Sequence, residues 1–254
     1  MNLAGAPMLI TGATGGIGSP LAARLSSKGA RLMLHGRDGV ALQDLGSSLG
    51  AATAQADLMV PGAAGDLIEQ TVSSLSGLEV LISNAGAGEA SCLAEMSEAA
   101  IADIIDLNLG APLRLAKAAI PHLRRSAAAG GRPCVVFVAS IAGHLGVRLE
   151  APYSAAKAGL IAAAEAIAEE ERRFGVRVAL VSPGAVDTAF FERRGMHYER
   201  RIPRLISPEQ VVDDVIRVLT GPRVEVISPR WLRLAAVLKA ASPTLYRTIA
   251  SRMP

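Results

Sequence analysis

Tyr153 and Lys157 stand four residues apart in the run Tyr153-Ser154-Ala155-Ala156-Lys157. On a helix that spacing puts a phenol and an ammonium on one face, one turn apart. A tyrosine hydroxyl titrates near ~10 and alone is a poor base at neutral pH. A fixed lysine charge beside it favours the phenolate and lowers that value. Ser140 lies thirteen positions before Tyr153 and follows the apolar run Val135-Val136-Phe137-Val138. A hydroxyl at the end of such a buried strand can polarise a carbonyl oxygen while the tyrosine protonates it. Asn108 completes the candidate set, and the turn Thr11-Gly12-Ala13-Thr14-Gly15-Gly16-Ile17-Gly18 precedes it.

Short apolar runs alternate with longer helical patterns along the chain, the signature of a parallel sheet covered on both sides. Strands are predicted at Met8–Thr11, Arg31–His35, Ala51–Ala56, Val80–Ser83, Cys134–Ala139, Arg177–Ser182 and Val224–Ile227. Helices are predicted at Ile17–Ser27, Val40–Leu49, Pro61–Leu75, Glu98–Ile105, Ala111–Ala127, Ala155–Phe174 and Pro208–Leu219. The expected architecture is α/β: a doubly wound, parallel, seven-stranded sheet flanked by helices on both faces. Ligands of such sheets bind outside the carboxyl ends of the strands. The candidate residues fall at those ends or on the helix that follows. One domain is expected over residues 1–227, with a helical extension of the same domain over 228–254.

Composition narrows the classes. The chain has 254 residues, long enough for a substantial core, and 50% of them are hydrophobic while only 3% are aromatic. The core is therefore built from Ala, Val, Leu and Ile. A net charge of +3 is too small to suggest a nucleic-acid partner. Cys92 and Cys134 show neither metal spacing nor a disulfide framework and read as reduced thiols of a cytoplasmic protein. No targeting segment is visible before the first strand. No run reaches the ~18 apolar residues that cross a bilayer. His35, His122, His144 and His197 show no ligand spacing. His144, four residues after Ser140, is the one placed to wall a substrate pocket, and no metal site is expected.

Gly12, Gly16 and Gly18 let the backbone turn sharply between the first strand and the first helix. A pyrophosphate can then approach the unpaired N–H groups of the helix N-terminus. A carboxylate at the end of the second strand would bond a ribose 2′-hydroxyl and repel a 2′-phosphate. Here the strand ends Leu34-His35-Gly36-Arg37, with Gly36 where the acid would stand and Arg37 beside it. A guanidinium suits a phosphate through charge and paired donors. Asp38, and the lack of a basic residue at Gly15, count the other way.

Taken together, Thr-Gly-x-x-x-Gly-x-Gly, Asn84-Ala85-Gly86, Asn108, Ser140, Tyr153/Lys157 and Pro183-Gly184-x-Val186-x-Thr188 resemble the short-chain dehydrogenase/reductase family in order and spacing. The match runs from about Pro7 to Ile227 and corresponds to the compact single-domain branch, whose fold is of Rossmann type. The family usually carries Asn-Asn-Ala-Gly; Ser83 replaces the first Asn. The resemblance implies a dinucleotide held by Gly12, Thr14, Gly15, Gly16, Ile17, Gly18, Arg37, Asp57, Leu58, Asn84, Ala85, Gly86, Tyr153, Lys157, Pro183, Gly184, Val186 and Thr188. Asp57 would face the adenine, Pro183-Gly184 would border the nicotinamide, and Thr188 would bond its carboxamide. Gly36-Arg37 in this family favours NADP(H) over NAD(H). Tyr153 would exchange a proton with the substrate oxygen, Ser140 would orient it, and Lys157 would also hold the nicotinamide ribose. Asn108 would anchor a water between Lys157 and solvent.

The resemblance further places a lid at Ala189–Ile206, which carries Arg193, Arg194, Arg200, Arg201 and Arg204 beside Phe190, Phe191 and Tyr198. These arginines can attract an anionic handle such as a phosphopantetheine carrier, although a solvated or salt-bridged run is the commoner fate. In the tail, Trp231, Leu234, Ala235 and Leu238 share one helical face flanked by Arg233 and Lys239. A second short helix carries Leu245, Arg247, Ile249 and Arg252. Such a face can lie in a membrane interface, pack on a partner subunit or cover the chain's own pocket, and packing is the more common outcome. The expected function is interconversion of a carbonyl and an alcohol on a lipophilic small molecule, in a homo-oligomer. A 3-oxoacyl-carrier reductase is the nearest alternative. A non-enzymatic dinucleotide sensor is the alternative of a different class, though it has no need of the four polar residues.

Overall fold

The structure, a computed structural model, describes residues 1–195, 198 and 202–250. His197, Arg200 and Arg201 of the lid and Arg252 of the tail lie outside the described residues. Seven strands form one parallel sheet: β1 (Pro7–Thr11), β2 (Arg31–Gly36), β3 (Ala52–Gln55), β4 (Val80–Ser83), β5 (Cys134–Val138), β6 (Arg177–Pro183) and β7 (Glu225–Ser228). Their order is β3-β2-β1-β4-β5-β6-β7. The order reverses between β1 and β4, and the crevice for a ligand opens there.

Helices α1 (Gly18–Ser27), α2 (Gly39–Leu49), α3 (Ala63–Leu75), α4 (Glu98–Ile105), α5 (Ala111–Ala128), α6 (Ile141–Leu145), α7 (Ala151–Arg172), α8 (Phe190–Arg193), α9 (Pro208–Thr220), α10 (Leu232–Ala241) and α11 (Pro243–Ala250) surround it. Alternation along the strands splits the core in two. Met8, Ile10, Ile82 and Val136 pack on one side with Leu21 and Leu25 of α1 and Val211 and Val215 of α9. Leu9, Leu81 and Phe137 pack on the other with Ile68 of α3, Leu115 of α5 and Leu160 of α7. Every strand boundary lies within one residue of that expected from the sequence.

The helix carrying Tyr153 and Lys157 departs from expectation. It begins at Ala151, not Ala155. Pro152 falls in its first turn, where a missing N–H costs nothing and the fixed φ suits the helix. Tyr153 and Lys157 therefore both lie inside α7. A second departure is the π-helical turn Asp106–Gly110 between α4 and α5. Arg114 grips Asp106 through two bonds of 2.7 and 2.9 Å and reaches the Leu58 carbonyl at 3.1 Å. That ion pair brackets the turn and holds Asn108 fully buried inside it.

Candidate active site

A continuous cleft of about 660 Å³ runs across the carboxyl ends of the strands, from Arg37 at one end to Arg194 at the other. Of the residues expected to contribute, Gly12, Thr14, Gly15, Gly16, Ile17, Arg37, Asp57, Leu58, Asn84, Ala85 and Gly86 line its dinucleotide half. Ser140, Tyr153, Lys157, Pro183, Gly184, Val186 and Thr188 line the rest. Gly18 and Asn108 stand just behind the surface.

The glycine turn is fixed from β4. Asn84 donates its side-chain amide to the carbonyls of Thr11 and Gly12 at 3.0 and 3.1 Å. The Thr11 hydroxyl accepts from the backbone N–H groups of Asn84 and Ala85 at 3.0 and 3.1 Å. Gly12 adopts φ +65°, and a Cβ there would lie 2.9 Å from Ala85 Cα. Only glycine meets both demands. Helix α1 opens at this turn with no side chain capping its N-terminus and no acid in its first turn. Ser19 N–H donates to the Gly15 carbonyl at 3.0 Å and Pro20 has no N–H, so the N–H groups left for an anion are those of Gly16, Ile17 and Gly18 at the turn itself. This uncapped, glycine-lined cradle fits a pyrophosphate.

At the far end of this half, Arg37 is exposed on the cleft wall. Asp38, which counts against a phosphate, also lines this end of the cleft, and its Oδ1 caps α2, accepting from Val40 and Ala41 N–H at 3.1 Å each. The Asp57 carboxylate accepts from Met59 N–H at 3.0 Å and remains at the cleft edge.

Ser140, in extended backbone, ends β5 and caps α6 by accepting from Ala142 N–H at 3.1 Å. Ser140 and Tyr153 line the same end of the cleft, and the Ser140 hydroxyl draws the pKa of the Tyr153 phenol down. Tyr153 is buried, and that burial pushes its phenol up to about 12 against the opposing pull of Ser140. Glu150 pushes it further up and Arg194 draws it down. Lys157 is buried too, and loss of hydration brings its ammonium down to about 8. It donates to the Val138 carbonyl at 3.0 Å and sits 5.7 Å from the centre of the Tyr153 ring. In this arrangement burial outweighs the groups that draw the Tyr153 phenol down, Ser140 first and then Arg194.

Asn108 donates to the Ala87 and Ile104 carbonyls at 2.7 and 2.9 Å. Its Oδ1 is buried with no partner. A Cβ at Gly86 would come 2.7 Å from that oxygen and 3.7 Å from Lys157 Nζ. Glycine at 86 thus keeps open the space that Asn108 and Lys157 share, and an unpaired buried acceptor beside an ammonium is a seat for a bridging water.

Around Tyr153 the wall is apolar: Met96, Ile104 and Ala142 are packed with it, with Ile101, Val147 and Phe190 alongside. The lid segment starts and returns at one point, where Asp187 N–H donates to the Ile206 carbonyl at 2.9 Å and Ile206 N–H to Ala185 at 2.8 Å. Arg193 and Arg204 are exposed, but Arg194 is buried and paired with Glu150 at 2.7 Å. Glu150 is the site residue that the sequence reading did not single out, and Arg194 was read there only as one of the lid's basic residues, because only the tertiary fold brings the two together.

His144 does not line the cleft. Its Nε2 lies 3.1 Å from the Ser182 hydroxyl, behind the site, and burial lowers its pKa. Its carbonyl accepts from Lys239 of α10 at 2.7 Å. Leu232 of α10 is buried with Ile141 and Ile227, partly buried Leu145 packs against them, and Leu232 Cδ1 would stand 3.0 Å from a Cβ at Gly184. The tail therefore braces the helix that begins at Ser140 from behind. The expected apolar face is not the buried one: Trp231 and Leu234 are exposed, and Leu232, one position round, fills the gap over Gly184. No helix among the described residues is long and apolar enough to cross a membrane, and no group of three or more metal-ligating side chains occurs among them.

Comparison with known proteins agrees with this geometry. The short chain dehydrogenase family profile matches residues 7–199. The 3-oxoacyl-[acyl-carrier-protein] reductase FabG of Escherichia coli is 31% identical, over 74% of this chain and 76% of that protein. Dehydrogenase/reductase SDR family member 7B of Bos taurus is 28% identical over 97% of this chain and 81% of its own. A crystal structure of a short-chain dehydrogenase/reductase from Burkholderia phymatum in complex with NAD superposes with a TM-score of 0.85. That neighbour covers 96% of each chain at 20% identity, a likeness of fold. The chain belongs to the short-chain dehydrogenase/reductase family and is an oxidoreductase.

Proposed function

We propose that this protein is an NADP(H)-dependent reductase that interconverts a carbonyl and an alcohol on a lipophilic small molecule. The observation that carries the reading is the buried Tyr153 beside Ser140 and Lys157 at one end of a cleft whose other end is the glycine cradle. The dinucleotide, when bound, supplies or accepts the hydride. Gly12 to Gly18 and the N-terminus of α1 hold its pyrophosphate, Arg37 its 2′-phosphate, and Pro183, Gly184, Val186 and Thr188 its nicotinamide end.

Tyr153 gives its proton to the substrate oxygen, and a phenol kept protonated by burial suits that direction. Ser140 shares the oxygen and fixes its position. Lys157 holds the ribose and passes protons inward, and the free Asn108 Oδ1 seats the water that connects it to solvent. The apolar lining at the substrate end of the cleft, Ile141, Ala142, Val147, Phe190 and Phe191, favours a lipophilic substrate over a sugar or a polyol. Free Cys92 and Cys134 suit the reducing cytoplasm.

A second reading, reduction of a 3-oxoacyl thioester, is favoured by the similarity to the bacterial carrier reductase and by exposed Arg193 and Arg204 beside the cleft. The exposed Trp231, Leu234, Val237, Leu245 and Ile249 of the tail are the surface on which a homo-oligomer or a lipid contact would form. The test is a panel of ketones, alcohols and acyl thioesters with NADPH and NADH, followed by nicotinamide absorbance. Turnover of a lipophilic ketone with NADPH is expected. Tight dinucleotide binding without turnover of any member would contradict the reading and leave a sensor in its place.

A further inference from the structure

Arg194 is 6% exposed and lines the cleft beside Tyr153. Its guanidinium carbon lies 5.7 Å from the Tyr153 ring centre, 5.0 Å from that of Phe190 and 5.7 Å from that of Phe191. Nη2 pairs with Glu150 at 2.7 Å, and Nε is buried with no partner. Glu150 is held out to it by Leu149, a non-glycine residue at φ +66° whose carbonyl accepts from Ser91 N–H at 3.0 Å. Left-handed backbone at a branched residue is uncommon and concentrates at sites of function. Three loops thus converge on an ion pair that neither gives nor takes the proton in the proposed transfer.

The chemistry of that pair is specific. Two charges taken out of water are costly, and a buried donor left unpaired adds to the cost. Arg194 is therefore one hydrogen bond short of a satisfied site. The Nε–Nη2 edge, which would grip a carboxylate or phosphate with two parallel bonds, is half taken by Glu150. Glu150 also balances the charge and would repel a second anion at close range. What remains is the unpaired Nε–H, with the Nη1 donors beyond it, on a guanidinium whose charge Glu150 already balances and which lies against Phe190 and Phe191. Its complement is an uncharged acceptor.

We propose that Arg194 determines specificity by donating Nε–H to a second, uncharged acceptor on the substrate, such as an ester or amide carbonyl near the carbonyl that is reduced. This rests on the reading of Tyr153 as the proton donor to that reacting carbonyl. It also inverts the expectation that the lid arginines attract an anion: for Arg194, the anion is already in place.

The experiment compares kcat/KM of the full-length protein on three matched compounds: a keto ester, the ketone lacking the ester, and the free keto acid. The wild type should prefer the ester by about tenfold over each of the others, the factor that one neutral hydrogen bond supplies. Arg194→Met/Glu150→Gln, which leaves neither charge unpaired, should bring the ester-to-ketone ratio close to one. Glu150→Gln alone frees the guanidinium charge and should raise the acid relative to the ester by about tenfold or more. An unchanged ester-to-ketone ratio in the double variant overturns the proposal. So does a wild type that prefers the acid, or an equal fall on all three compounds, which would make the pair a structural latch. A wild type that reduces no carbonyl compound overturns the reductase reading, and this inference with it; one that reduces ketone and ester alike overturns the role of Arg194 alone.

Discussion

Lys157 and Tyr153 share one face of α7, yet the ammonium is turned to the Val138 carbonyl, 3.0 Å away, and lies 5.7 Å from the tyrosine ring centre. A strand carbonyl thus fixes the lysine at the junction of the dinucleotide and substrate halves of the cleft. Its position is bought with buried charge, and that has a measurable consequence.

Burial brings the Lys157 ammonium down to about 8 in the folded chain, from an ordinary value of 10.5. Between those two values the unfolded chain binds more protons, so this group makes stability rise with pH. Lys157→Met should therefore be more stable than wild type near pH 7, by up to about 3 kcal/mol less what the unpaired Val138 carbonyl gives back. The gap should narrow as pH climbs from 8 towards 9.5. Urea denaturation at several pH values checks this, and a gap that stays constant across the range would contradict it.

Arg37→Ala should weaken NADPH binding by about ten- to a hundredfold, since a charge-assisted bond is worth about 1.5–3 kcal/mol. NADH lacks the phosphate and should lose much less. Asp38 spends its Oδ1 on capping α2. Dissociation constants for both cofactors, measured by fluorescence titration, decide the point. Equal losses would remove Arg37 from cofactor choice.

Leu232→Ala should destabilise the protein by about 2–5 kcal/mol, because it empties a buried site against Ile141, Ile227 and Gly184. Trp231→Ala and Leu234→Ala should cost far less, since both side chains are exposed. Chemical denaturation of the three variants separates the two faces of α10. A larger loss at Trp231 than at Leu232 would reverse the packing described above.

The strands were legible because seven buried runs bounded by turn residues leave little choice of ends. The tetrad was legible because its order and spacing follow the chain. Helix α6 was not, since Ile141–Leu145 is too short to show a period. The start of α7 was misplaced because Pro152 reads as a stop unless the first turn already contains it. The burial of Leu232 was not legible, since its fit over Gly184 is a tertiary fact. Arg194 looked like one charge in a polar run. Its burial depends on Glu150, forty-four positions away, and on a closure that no local pattern records.

The central claim is that Tyr153 is the proton donor, and Tyr153→Phe tests it with the loss of one oxygen. With the best ketone from the substrate panel, kcat should fall by roughly a hundredfold or more. NADPH affinity, measured separately by fluorescence titration, should stay within about threefold of wild type, because the ring remains packed against Phe190 and the cradle is untouched. A variant that binds NADPH normally and keeps most of its turnover would show that the proton comes from elsewhere.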